Sequence, residues 1–198
     1  MFTHLVAVTE DKIAWEFDLA ISHRSPVDPA TKITEIRFVS DSGNSLFLNC
    51  SFWNNSNLEP DQWIRMRNRL CAPLQSRMHE IRIMGSLTQW PLTKWFFERQ
   101  MERINQRCRA QMNWTNYGRG GWAIDHLLPM SCFDLNSRAQ LKLCQSLANL
   151  RPAWDIHNWA RRNTVTIRDI TRYVNGHLAL RRYIASQKQR MPSKPRPS

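Results

Sequence analysis

The stretch "GWAIDHLLPMSCFD", Gly121 to Asp134, decides how the rest of the chain is read. Asp125 and His126 stand side by side between Ile124 and the pair Leu127 and Leu128, in a run that otherwise reads as a buried strand. A carboxylate and an imidazole cost free energy to bury unless they are paired, hydrogen-bonded or bound to metal. Neighbouring side chains of a regular strand point to opposite faces. For both groups to share one site, the strand must end or bulge here, and Pro129 is consistent with an end.

Further polar positions lie downstream. Asn149 follows His126 by 23 residues, and Asn158 follows Asn149 by 9, with His157 directly before it. These residue types suit hydrolysis of a phosphodiester. Water must lose a proton, which an imidazole takes well near neutral pH. A divalent cation must neutralise a non-bridging phosphate oxygen and the leaving oxygen. Magnesium prefers hard oxygen ligands and usually takes one or two from the protein. Asp125 and the amide oxygen of Asn158 would suffice.

The segment "NWTNYGRGGWAIDHLLPMSCFDL…ANLRPAWDIHNWARRN" resembles the HNH endonucleases with their ββα-metal site, especially the form found in phages and other viruses. There a W-x-I-D-H-x-x-P strand is followed by N-L-x-P-x-W and then a helix bearing Asn. The resemblance covers roughly residues 113–163. It implies that His126 is the general base and that Asp125 binds metal. It implies that Asn149 ties the loop together and helps orient the imidazole, and that Asn158 binds metal from the helix. The implied cofactor is Mg2+ or Mn2+, and the implied partner is DNA. Family members often carry Lys three residues after the last Asn; here Arg161 and Arg162 stand at and after that place, and guanidinium holds phosphate well. On a helix His157 and Asn158 lie about 100° apart, so the two are not expected on one ion; Asn158 is the expected ligand, with His157 as the alternative. Arg119, Arg151, Arg161 and Arg162 are candidates for contacts to the nucleic-acid backbone. A non-cleaving nucleic-acid-binding or regulatory module on the same scaffold is the competing expectation.

Charge points the same way. Residues 1–80 carry 8 Lys+Arg and 10 Asp+Glu, while residues 81–198 carry 20 and 6, so the net charge of +12 sits in the second part. A strongly basic segment suits a polyanionic partner. With 9 Trp and 8 Phe in 198 residues, the chain is rich enough in aromatics for a globular protein. No apolar run approaches the roughly 20 residues of a membrane span, so no membrane partner is expected. The N-terminus lacks a basic region followed by a long apolar stretch. A cytoplasmic or host-cell nucleic-acid compartment is expected, without secretion. The five cysteines, 50, 71, 108, 132 and 144, show no C-x-x-C spacing and read as free thiols. Cys132 and Cys144 read as small buried residues, and Trp122 and Trp154 as core. His4, His23, His79 and His177 receive no role.

The expected class is α+β, a ββα-metal nuclease core flanked by helices with a β-rich N-terminal segment. Residues 12–53 read as a three-stranded antiparallel meander, with turns at "SPVDPATK" and "DSGN". A helix opens near Pro60 and is interrupted or kinked at Pro73. A second helix is expected over 91–112, a polar one over 136–148, and a last one over 166–189 with Ile167, Ile170, Val174 and Leu178 as its core stripe. The division expected is residues 1–80, with no assignable role, residues 81–190 with the nuclease core, and a disordered basic tail over 191–198. Nothing in the residues fixes an oligomeric state.

Overall fold

The structure, a computed structural model, describes residues 2–51, 57–87, 89–118, 120–161 and 163–190. The fold is mixed α and β. Its first sheet holds four antiparallel strands, β1 (Phe2–Thr9), β2 (Ala14–Asp18), β3 (Ile33–Ser40) and β4 (Ser45–Asn49), in the order β2-β1-β3-β4. The expected three-stranded meander is therefore corrected. "FTHLVAVT" supplies a further strand, and it lies between β2 and β3. Its alternation was legible, since Leu5, Ala7 and Thr9 form the buried face. Register aligns Leu5 with Phe17 on one side and Phe38 on the other, and Ala7 with Ile36, so one face of the sheet is a continuous apolar layer.

Helix α1 (Pro60–Met84) starts with proline in its first turn and continues through Pro73. Glu59 and Gln62 form a reciprocal capping box. Its Leu74, Met78 and Ile81 are buried, at helical spacing. Helix α2 (Pro91–Asn105) is shorter than expected, and buries Phe96, Phe97 and Met101. Glu80 of α1 accepts from the Trp90 indole at 2.7 Å and from Gln89 at 3.0 Å, which fixes the connection between these helices.

Strands β5 (Trp122–His126) and β6 (Leu150–Trp154) pair antiparallel in continuous register, Trp122 with Trp154 through His126 with Leu150. Between them lies α3 (Arg138–Cys144), capped by the Ser137 side chain. Strand β6 runs directly into α4 (Asp155–Arg161), and α5 (Ile167–Arg190) closes the described chain. The turn before β5 needs glycine. A Cβ on Gly121 would lie 1.8 Å from the Asn116 carbonyl oxygen, and Gly120 has φ +79°.

Two apolar cores meet at the β5-β6 hairpin. One joins the first sheet (Leu5, Phe38, Leu48) to the segment after β5 (Leu127, Leu128, Phe133) and to Ile167, Ile170 and Val174 of α5. The other joins α1 and α2 to Trp122 and Leu150. The stripe expected on α5 is therefore core, as is Trp122, and Cys132 and Cys144 are buried. All five cysteines are free thiols. Main-chain bonds also stitch the sheet to the start of α5, Ile33 N–H to Val165 at 2.9 Å and Ile167 N–H to Thr31 at 2.9 Å. Asn175 of α5 clamps His23 through its backbone N–H at 3.0 Å and carbonyl at 2.9 Å. Among the described residues no helix is long and apolar enough to cross a membrane. The tail over 191–198 lies outside the described residues.

Because residues from both parts of the chain share one core, unfolding in denaturant is expected as a single transition followed by both tryptophan fluorescence and circular dichroism. Two separated transitions would show an independent sheet. Phe38→Ala, in the middle of the shared core, is expected to cost about 3–5 kcal/mol. Burial, and then Arg181, push His177 below its ordinary value of 6.5. Its protonated form is therefore disfavoured by folding, and the unfolded chain takes up more protons as pH falls below that value. Stability should drop there on acidification, and His177→Gln should reduce the drop in paired melts.

Candidate functional site

Asp125 is on β5 and 7% exposed, so its charge must be met inside the protein. It is met across the hairpin. Arg151, its register partner on β6, places Nε 2.7 Å and a terminal guanidinium nitrogen 2.6 Å from Asp125 Oδ2. The other terminal nitrogen lies 3.7 Å from Asp169 Oδ1 at the start of α5. Asp169 in turn accepts through Oδ2 from the Thr166 hydroxyl at 2.8 Å and its backbone N–H at 3.0 Å, capping that helix. Arg151 thus joins hairpin to helix. Expected as a phosphate contact, its side chain is 17% exposed and its guanidinium is engaged by two carboxylates.

Asn149 is 0% exposed and makes three bonds that shape the segment after His126. Its side-chain oxygen accepts from Leu128 N–H at 2.7 Å, and its amide donates to the carbonyls of Leu128 and Cys144 at 3.0 Å each. Its own carbonyl accepts from Leu127 N–H at 2.8 Å. The chain leaving His126 is therefore held as a false continuation of the hairpin. The strand ends at His126, which meets the condition set by its neighbour Asp125.

Both residues line one cleft of 440 Å³, together with Asn158. Ala123 and Ile124 belong to the same wall, and Pro129, Met130 and Ser131 lie beyond it. Asn158 comes from α4, placed by the direct passage from β6 and by a bond from Asp155 N–H to Gly121 at 3.0 Å. His157 is exposed and does not line the cleft. Of the two adjacent candidates, Asn158 is the one brought to Asp125 and His126. Arg119 and Arg162 lie outside the described residues, and Arg161 is described only as backbone of α4.

The other wall was missed in the sequence. Trp63, Arg67, Cys71, Leu74 and Gln75 of α1 face the cleft, and Tyr117 and Asn163 complete it. Positions 63, 67, 71 and 75 recur every four residues, so a single helix face was legible there. Its mixed chemistry resembled an ordinary solvated surface. Burial raises the Tyr117 phenol above its ordinary value, so that group enters the cleft as a neutral hydrogen-bonding hydroxyl.

The donor set suits a hard, largely hydrated cation. Asp125 and Asn158 line the same cleft, and a carboxylate and an amide oxygen are hard donors of the kind magnesium prefers. Among the described residues no three or more His, Cys, Asp or Glu side chains cluster as a closed metal cage would require. Comparison with protein-family models, with curated proteins and with solved structures finds no match to this chain.

Removing one member of the buried ion cluster leaves a carboxylate without its cation. Arg151→Met is expected to cost about 3–5 kcal/mol, measured by chemical denaturation. Asn149→Ala strands three backbone groups, at about 1–3 kcal/mol each before relaxation. Either variant melting like wild type would remove that interaction as a determinant of the site.

Proposed function

We propose that this protein is a metal-dependent endonuclease of HNH type acting on DNA. The observation that carries the reading is the meeting of His126 from the end of β5 with Asp125 and with Asn158 from α4, all lining one cleft. A hairpin that runs straight into a short helix supports it, as does the sequence resemblance over the same residues.

In this reading His126 takes a proton from a water. The water oxygen attacks phosphorus, the bond to the 3′ oxygen breaks, and that oxygen is protonated from solvent. The ends are a 5′-phosphate and a 3′-hydroxyl. Mg2+ or Mn2+ held by Asp125 and Asn158 would neutralise charge on the phosphate and on the leaving oxygen. Asn149 is a positioning residue, acting through the segment that follows the imidazole. Arg151 holds Asp125 in place, and phosphate contacts fall to arginines elsewhere.

The second reading is a binding module that does not cleave. The observation favouring it is the double contact of Arg151 on Asp125, which gives that carboxylate a structural task of its own. Labelled DNA, both single-stranded and duplex, incubated with purified protein in Mg2+, Mn2+ or EDTA separates the two. The nuclease reading expects metal-dependent cleavage that His126→Ala reduces by roughly 10²–10⁴-fold, with folding and DNA binding retained. Salt-sensitive binding with no cleavage in any metal would establish the binding module instead.

A further inference from the structure

The cleft has two walls, and the second says what enters it. Helix α1 carries five arginines and two acidic residues, in contrast to residues 1–59, with four basic and eight acidic. The near-neutral total of residues 1–80 thus conceals a basic helix, and that helix borders the cleft. Arg67 is exposed and takes part in no salt bridge among the described residues. Its guanidinium lies 5.8 Å from the centroid of the Trp63 ring, one turn earlier on the same face. Arg67, Trp63 and Gln75 line the same cleft as His126.

This chemistry matches an unpaired nucleic-acid strand. Single strands are held by cationic side chains along the backbone and by aromatic faces on which bases stack. Bases within a duplex are already stacked and offer no face to Trp63. Size agrees. A volume of 440 Å³ falls in the range of small-ligand sites, and is small for a duplex. The exposed Arg65 and Arg69 continue the positive charge along α1 beyond the cleft mouth.

We propose that the cleft between α1 and β5 binds an unpaired DNA strand, with Trp63 as the stacking platform and Arg67 as the phosphate contact. The inference rests on the nuclease reading for its cleavage arm only. Nuclease specificity for single strands, flaps or splayed ends then comes from α1.

The test measures fluorescence anisotropy in EDTA with a labelled 12-nucleotide strand and the corresponding blunt duplex, followed by cleavage of both in Mg2+. Wild type should bind the strand about tenfold more tightly than the duplex. Arg67→Gln and Trp63→Ala should each weaken strand binding about tenfold and leave duplex binding nearly unchanged. Trp63 also packs against the first core. Should Trp63→Ala fail to fold, Trp63→Phe, which keeps a stacking face, should retain most strand affinity, and Arg67→Gln decides. Equal or tighter duplex binding, or unchanged strand affinity in Arg67→Gln, overturns the proposal. Duplex cleavage that needs His126, with the strand left intact, overturns it while the nuclease reading stands. Strand binding that depends on Trp63 and Arg67, without cleavage of either DNA, supports this cleft assignment while the nuclease reading falls.

Discussion

A carboxylate on a buried strand face is tolerable only if a cation meets it, and Arg151 meets two. Asp125 on β5 and Asp169 at the start of α5 both lie against its guanidinium, while Asp169 also caps α5. Strand pairing alone would leave the hairpin free to tilt on the helix. The shared arginine fixes both position and angle, because Nε and the terminal nitrogens of a planar guanidinium cannot be satisfied independently. Asn149 completes the constraint one residue before β6, by binding the chain that departs from His126.

Helix α1 makes these local constraints into a cleft. Trp63, Met66, Leu70 and Cys71 from its first half pack on the core of the four-stranded sheet. Leu74, Met78 and Ile81 from its second half pack on the core of α2 and the hairpin. The helix therefore spans both cores, and Trp63, Cys71 and Leu74 of these stripes also border the cleft with Arg67 and Gln75. The sheet, which carries no candidate site residue, still acts on the site: it seats α1 from one side and α5 from the other.

Much of the site was legible because its chemistry is local. An Asp-His pair at a strand end, a buried Asn ahead of the next strand and an Asn on the following helix are each marked by polarity in an apolar run. The order of the first sheet was not legible, since period-2 alternation identifies β1 but not the strand it pairs with. The ion cluster of Arg151 was not legible, because an arginine in a basic segment looks like a phosphate ligand until its carboxylate partners, 26 residues before and 18 after it, are brought together. Trp63 and Arg67 were hidden in a segment whose average charge is near zero, where an acidic sheet cancels a basic helix. Averages over chain length conceal what a fold separates in space.

The ion cluster also constrains how the proposed site would hold a cation. Asp125 and Asp169 bring two negative charges and Arg151 between them brings one positive charge, so the cluster keeps a single net negative charge. Asn158 adds dipole but no charge. One net negative charge leaves a divalent cation half compensated, and magnesium dehydrates reluctantly. The missing negative charge is available from the phosphate of a bound strand. In the proposed reading, substrate and cation therefore bind with positive coupling: the phosphate raises cation affinity, and by linkage the cation raises strand affinity by the same factor. Arg67 acts against that coupling only if it neutralises the same phosphate. Its place on α1, one turn from Trp63, suits a neighbouring phosphate along the strand, which leaves the charge of the scissile one for the metal.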